Sequence, residues 1–212
     1  MTVTRGLERA YLGMHIKYNK QERTAEITMR GYLEEAISES GLSITKTAAT
    51  LATKDLFETD NSAAKLTKPN GNTFHSVVAK LLFVATQARM DLLLAVGFLT
   101  TRVSRSSQQD MGKLKRVLEY VNGTLDVEYV VGADNVGRMW TWVDAAYAVH
   151  PEMRSHTGGV ISFGRGGLVC KSSKQKINMK SSTEAEFVGA KSYLPNTIWV
   201  KFIYEITRIQ HS

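Results

Sequence analysis

Residues 140–187 contain WTWVDAAYA (140–148), HTGGVISF (156–163), GRGG (164–167), LVCKSS (168–173) and SSTEAEF (181–187). The first run is an apolar strand pattern with Asp144 inside it, and an unpaired buried carboxylate is costly, so something at that position should want the charge. His156–Phe163 and Leu168–Ser173 read as two further strands. The glycine-rich stretch between them suits a hairpin loop that needs positive φ. The period then changes from strand to helix. Ser181 and Glu184 have the spacing of a capping box, in which side chain and backbone satisfy one another at a helix start.

The order is strand with an acid, strand, strand, and a helix whose first turns carry Glu184 and Glu186. This order resembles the beginning of the ribonuclease H fold. The residues from Asp144 to Phe202 resemble the RNase H region of copia-type retrotransposon polyproteins, in which Asp-Ala-aromatic-Ala, Arg-Ser-x-Thr-Gly-Gly and Ser-Ser-Thr-Glu-Ala-Glu recur in this order. The resemblance implies hydrolysis of an RNA:DNA hybrid with Mg²⁺, and catalytic and metal-binding roles for Asp144 and Glu186. Clustered carboxylates hold hard cations through oxygen, and the metals activate water and stabilise the departing oxygen. Glu184 and Glu186 lie about 200° apart around a helix and cannot serve one site together. Glu184 has the capping role available, and Glu186 opens the Glu-Phe-Val-Gly-Ala stretch that resembles the start of the family's catalytic helix. In the family, a further strand and a distal helix supply the remaining ligands. With Asp144 and Glu186 alone, the expectation is weak metal binding and inefficient cleavage.

Composition bounds the alternatives. The chain has 212 residues, 43% of them hydrophobic, with only three prolines, which favours a folded protein with a sizeable core. Its one cysteine, Cys170, excludes an internal disulfide. With no zinc-like Cys/His spacing, the reading is an intracellular compartment, cytoplasmic or nuclear, and a virus-like particle for an intact element. Leu81–Ala85 and Leu92–Leu99 are too short to span a membrane.

The net charge of +7 is unevenly distributed. Arg165, Lys171, Lys174, Lys176 and Lys180 run without an intervening acid beside the expected hairpin. Arg102, Arg105, Lys113, Lys115 and Arg116 form a second concentration, offset by Asp110. Clustered Lys and Arg suit a polyanion, and a solvated surface is the plainer alternative. The first cluster is the expected nucleic-acid contact.

Upstream, Tyr11–Ile16 reads as a strand, Lys17–Arg23 as a turn, Thr24–Met29 as a second strand, and Tyr32, Leu33, Ala36 and Ile37 as one face of a helix that Gly41 ends. This order is similar to the segment after the palm of copia-type reverse transcriptases. The polymerase's Tyr-x-Asp-Asp turn has no counterpart, because the sequence contains no Asp-Asp pair. Residues 42–72 read as a connector ending in Pro69-Asn70-Gly71. Helical periodicity follows at Phe74–Leu82, Leu92–Phe98 and Met111–Val121. These helices resemble the thumb-like region preceding RNase H, although Arg89-Met90-Asp91 lacks the family's proline. Strands are expected at Val127–Val131 and Met139–Val143. Pro195 should end or kink the last helix after Leu194, with another helix over Asn196–Ile206. Trp140, Trp142 and Trp199 read as core, His150 as a loop residue and His156 as a strand-surface residue.

The expected class is α+β: a helical thumb-like region followed by an incomplete RNase H-like mixed sheet with packed helices. The expected organisation is a post-palm hairpin and helix (1–42), a linker (43–72), thumb-like helices (73–124) and a truncated RNase H-like domain (125–212). The expected partners are an RNA:DNA hybrid or other nucleic acid and the remainder of the polyprotein, with no membrane. An inert or purely structural relic is the alternative.

Overall fold

The computed structural model describes residues 6–135 and 137–209 and divides into two compact units, Met1–Val130 and Val131–Ser212. The class is α+β, with an antiparallel sheet in each unit.

The first unit begins with an antiparallel meander of β1 (Glu8–Tyr11), β2 (Met14–Asn19) and β3 (Thr24–Thr28). The strand expected over Tyr11–Ile16 is interrupted by a two-residue hairpin turn, in which Leu12 and Gly13 both take positive φ (49° and 77°). Two successive positive φ angles make the turn whose twist matches flanking strands. A Cβ on Gly13 would stand 2.1 Å from the Tyr32 ring, so no larger residue fits.

Helix α1 (Arg30–Glu39) buries Leu33 and Ala36, and Gly41 follows its end at φ 64°. Helix α2 (Lys68–Gln87) starts six residues before Phe74. Pro69-Asn70-Gly71, read in the sequence as a break, forms its first turn, where proline's missing N–H costs nothing. Residues 42–67 contain no helix. They are tied to the helices that follow: Ala48 N–H donates to Glu119 O (3.2 Å), Leu66 N–H to Ser106 O (3.0 Å) and Gln108 N–H to Ala64 O (2.9 Å).

Helix α3 (Leu93–Thr100) is entered through a 3-10 turn at Met90–Leu92. Buried Arg89 fixes that turn, donating to Asp91 and to Thr124 O. Helix α4 (Gln108–Asn122) carries a capping box in which Ser107 and Asp110 exchange hydrogen bonds. Phe74, Val77, Val78 and Leu81 of α2, Phe98 and Leu99 of α3, and Leu114 and Leu118 of α4 are buried together in this unit.

The second unit is organised on a three-stranded antiparallel sheet: β5 (Trp140–Ala146), β6 (Arg154–Ser162) and β8 (Val169–Asn178), with β6 central. The short β4 (Tyr129–Ala133) straddles the boundary and pairs with β7 (Gly164–Arg165) through Gly132 and Ala133. The mixed sheet expected here is thus antiparallel across β5, β6 and β8.

Helix α5 (Ser182–Ile209) crosses one face of this sheet. It sits low because two glycines remove side chains from the contact. A Cβ on Gly159 would lie 2.5 Å from the Tyr193 ring, and one on Gly189 would lie 3.2 Å from Thr157 and 3.5 Å from Ala145. Ile161, Tyr193 and Val200 form the buried cluster, joined by Met139, Val143, Phe163 and Val169.

Pro195 lies inside α5 and does not end it, contrary to the sequence expectation. The burial of Tyr193 before it and Val200 after it holds both halves on the sheet. Asn196 Nδ2 donates to Tyr193 O (3.2 Å), a side-chain hydrogen bond beside the proline.

Candidate nucleic-acid interface

Strand alternation divides the three-stranded sheet into two faces. Thr157, Gly159 and Ile161 of β6 meet α5. His156, Gly158 and Val160 therefore point to the opposite, outer face. Residues directly opposite one another across an antiparallel pair share a face. The outer face thus consists of cross-strand rows: Trp142, Val160 and Cys170; then Asp144, Gly158 and Ser172; then Ala146, His156 and Lys174.

Asp144 is exposed in this outer row, and its Oδ1 accepts the Ala145 N–H at 2.9 Å. Its neighbour Ala145 faces α5 beneath Gly189. Glu186 is exposed on α5, one helical turn before Gly189. The strand and the helix start are thus brought against each other at the Ala145–Gly189 contact, and Asp144 itself points to the face that α5 does not cover. Glu184 takes the capping role assigned to it. Its N–H donates to Ser181 Oγ (3.2 Å) and its carboxylate accepts from Lys180 N–H (2.7 Å).

A Mg²⁺ pair needs several convergent oxygens. No group of three or more His, Cys, Asp or Glu side chains suited to a metal occurs among the described residues, and Asp144 already accepts a backbone hydrogen bond. The residues present do not fit a two-metal centre.

The basic run does not form one stripe. Arg165 is paired with Asp134 (3.0 Å). Lys171 donates to Asn196 Oδ1 of α5 (2.7 Å), which places it on the helix-covered face. Lys174 lies on the outer face and is paired with Glu152 (2.9 Å). Lys176 and Lys180 are exposed. The other cluster is largely structural. Arg102 is buried against fully buried Asp110 (3.0 Å), Arg116 donates to Thr50 (2.8 Å), and Lys113 donates to the carbonyls of Leu56 and Glu58. Burial lowers the Lys113 pKa below its usual range.

Two expectations from sequence are corrected on the outer face. His150 lies in a loop, as expected, and His156, expected at the strand surface, is buried with it: His150 Nε2 is 3.0 Å from His156 Nδ1 and His156 Nε2 2.7 Å from Ser172 Oγ. Burial depresses both, and pushes His150 down to about 4. Their six-residue separation carried no recognisable signal, because the pairing depends on residues 147–153 folding back onto the sheet.

Trp140 and Trp142, read as core, are 45% and 54% exposed, with rings 6.1 Å apart and 13° from parallel. They alternate with Thr141 and Val143 and fall on the outer side, so apolar character alone could not say which face was covered. The Arg138 guanidinium lies 5.4 Å from the Trp140 ring centroid. Trp199 is also exposed, at the rim of an apolar groove of about 360 Å³ between α5 and the sheet.

The antiparallel sheet crossed by one helix carries Asp144 in its edge strand and Glu186 in the helix start. Sequence similarity to known proteins extends over most of the chain. The chain is 25% identical over 201 residues to the retrovirus-related Pol polyprotein from transposon TNT 1-94 of Nicotiana tabacum, covering 92% of this chain and 15% of that protein. It is 26% identical over 184 residues to the putative transposon Ty5-1 protein of Saccharomyces cerevisiae, covering 85% of this chain and 58% of that one. It is 26% identical over 191 residues to the Pol polyprotein from transposon RE2 of Arabidopsis thaliana, covering 90% of this chain and 13% of that polyprotein. Over most of its length the chain is similar to copia/Ty-type retrotransposon polyprotein sequence, and it spans only part of the length of these relatives. No protein-family model matches the chain, and no solved structure matches it significantly. No helix among the described residues is long and apolar enough to cross a membrane.

Proposed function

We propose that this chain is a nucleic-acid-binding segment of a copia-type reverse transcriptase/ribonuclease H polyprotein, carrying part of a ribonuclease H site and not a working one. The observation that carries this reading is the Ala145–Gly189 contact, which brings the Asp144 strand to the Glu186 helix start while Asp144 itself faces away from α5. Polyprotein relatives covering most of the chain support the same origin. A net charge of +7 favours a polyanionic partner. The remainder of the polyprotein is the natural source of further carboxylates, and an RNA:DNA hybrid is the natural ligand.

The test is binding and cleavage of an RNA:DNA hybrid across a salt series in Mg²⁺ or Mn²⁺. The reading expects binding that weakens as salt rises and cleavage no greater than that of Asp144→Asn and Glu186→Gln. Robust wild-type cleavage abolished by Asp144→Asn would overturn the incompleteness of the site. Absence of any salt-dependent binding would favour a purely structural role.

A further inference from the structure

We infer that the outer face of the β5–β6–β8 sheet is a stacking platform for single-stranded nucleic acid, with Trp140 and Trp142 as its aromatic surface. This rests on the nucleic-acid reading above and adds a single-stranded ligand beside the hybrid, with the place where it sits. Indole rings are costly to leave in water, and most large apolar side chains are placed in a core. Here two adjacent ones are about half exposed on the same side of one strand and held nearly parallel. Their 6.1 Å separation is close to the roughly 6.8 Å between alternate bases of a stacked strand. Every base has a π-face, so such a surface accepts bases without regard to sequence.

The surroundings favour a nucleic-acid strand over a purely apolar partner. Arg138 lies against the Trp140 ring, which places a cation beside the aromatic surface where a phosphate would pass. One row further along, Gly158 lies between Asp144 and Ser172, and nothing stands within 4 Å of where a Cβ on Gly158 would be. That opening has the Trp142 strand on one side, an acceptor at Asp144 and a hydroxyl at Ser172. His156 holds that hydroxyl at 2.7 Å. A base stacked beside Trp142 would present its edge to Asp144. The carboxylate accepts from the exocyclic amino group of cytosine or adenine, which thymine lacks. A duplex cannot use this surface, because its bases are already stacked and paired.

The experiment uses the full chain with Trp199→Phe, so that emission reports only Trp140 and Trp142. It is titrated with oligo(dC), oligo(dT) and an RNA:DNA hybrid. The expected result is quenching by the single strands, oligo(dC) binding several-fold more tightly than oligo(dT), and that preference lost in Asp144→Asn. In the wild-type background, Trp142→Ala weakens single-strand binding about tenfold or more, with the salt slope unchanged, and Trp142→Phe restores most of it. Hybrid or single-strand binding without quenching, and unchanged by Trp142→Ala, would overturn this inference alone. No binding to any nucleic acid would overturn it together with the function proposed above.

Discussion

The helical part of the first unit and the sheet of the second treat apolar residues in opposite ways. In α2, α3 and α4 the apolar faces turn toward each other, and Phe74, Val77, Leu81, Leu99 and Leu118 are fully buried. In the second unit one helix covers one face of one sheet. Phe187, Ile198, Trp199, Phe202 and Ile203 of α5 are exposed, as are Trp140 and Trp142 across the sheet. Helices with apolar stripes can close on one another, whereas a single helix on a three-stranded sheet leaves its own far side and the sheet's far side uncovered. Stability should therefore be concentrated in the first unit, and surface available for partners in the second.

The sharpest test of that contrast removes one acid from each unit. Asp110→Ala leaves buried Arg102 unpaired and deletes half of the α4 cap, and should cost about 3–5 kcal/mol by urea unfolding. Asp134→Ala removes the exposed partner of Arg165 and should leave the unfolding midpoint unchanged. Equal losses would mean that the two units are equally closed.

Next in size is an effect of acid on the second unit. His150 is held neutral in the fold down to about pH 4 and takes a proton near 6.5 when unfolded. Stability is therefore present above pH 6.5 and lost as pH falls toward 4, because the unfolded chain then binds the proton more readily. Between pH 7 and pH 5 this amounts to about 2 kcal/mol. His150→Gln should flatten that part of the profile in unfolding measured at both pH values, and an unaltered profile would place the loss elsewhere.

Tyr193→Phe removes the hydroxyl that donates to Val169 O (2.8 Å), and should cost about 1 kcal/mol in thermal or urea unfolding. Burial pushes the Tyr193 pKa up to about 12, so the hydroxyl should keep donating above pH 10, where an ordinary tyrosine ionises. The smallest effect is expected at the exposed side of α5. Phe202→Ser should change stability by no more than about 0.5 kcal/mol. A loss comparable with the 3–5 kcal/mol typical of a core Phe→Ala change would show that Phe202 is covered.

The helices α1, α2 and α4 follow closely from helical periodicity, because each has a buried apolar face, whereas α3 is apolar nearly all round. Their ends were less legible. Pro69-Asn70-Gly71 has breaker composition yet starts α2, since a first turn needs no proline N–H. Leu12-Gly13 lies in an apolar alternation yet makes a turn, and only the proximity of Tyr32 explains why residue 13 must be small. The Ser181/Glu184 cap was legible because its hydrogen bonds are local. Pro195 carries a local backbone cost that the burial of Tyr193 and Val200 on either side of it outweighs.

By itself, the sequence determined the strand, strand, strand, helix order from Trp140 to Phe187, the positions of Asp144 and Glu186 on a strand and a helix start, and the resemblance to a retrotransposon polyprotein. Those depend on local spacing and on words that recur within a few residues. Only the tertiary structure decided which side of each strand is covered. A period of two says that Asp144, Trp142 and Trp140 share a face, but not whether α5 lies on that face or the other. The low seat of α5 over Gly159 and Gly189 makes that choice. The same choice divides Lys171 from Lys174, and the fold-back of residues 147–153 buries His156 against His150 on the other face. These are consequences of contacts between residues distant in the chain, and no local pattern records them.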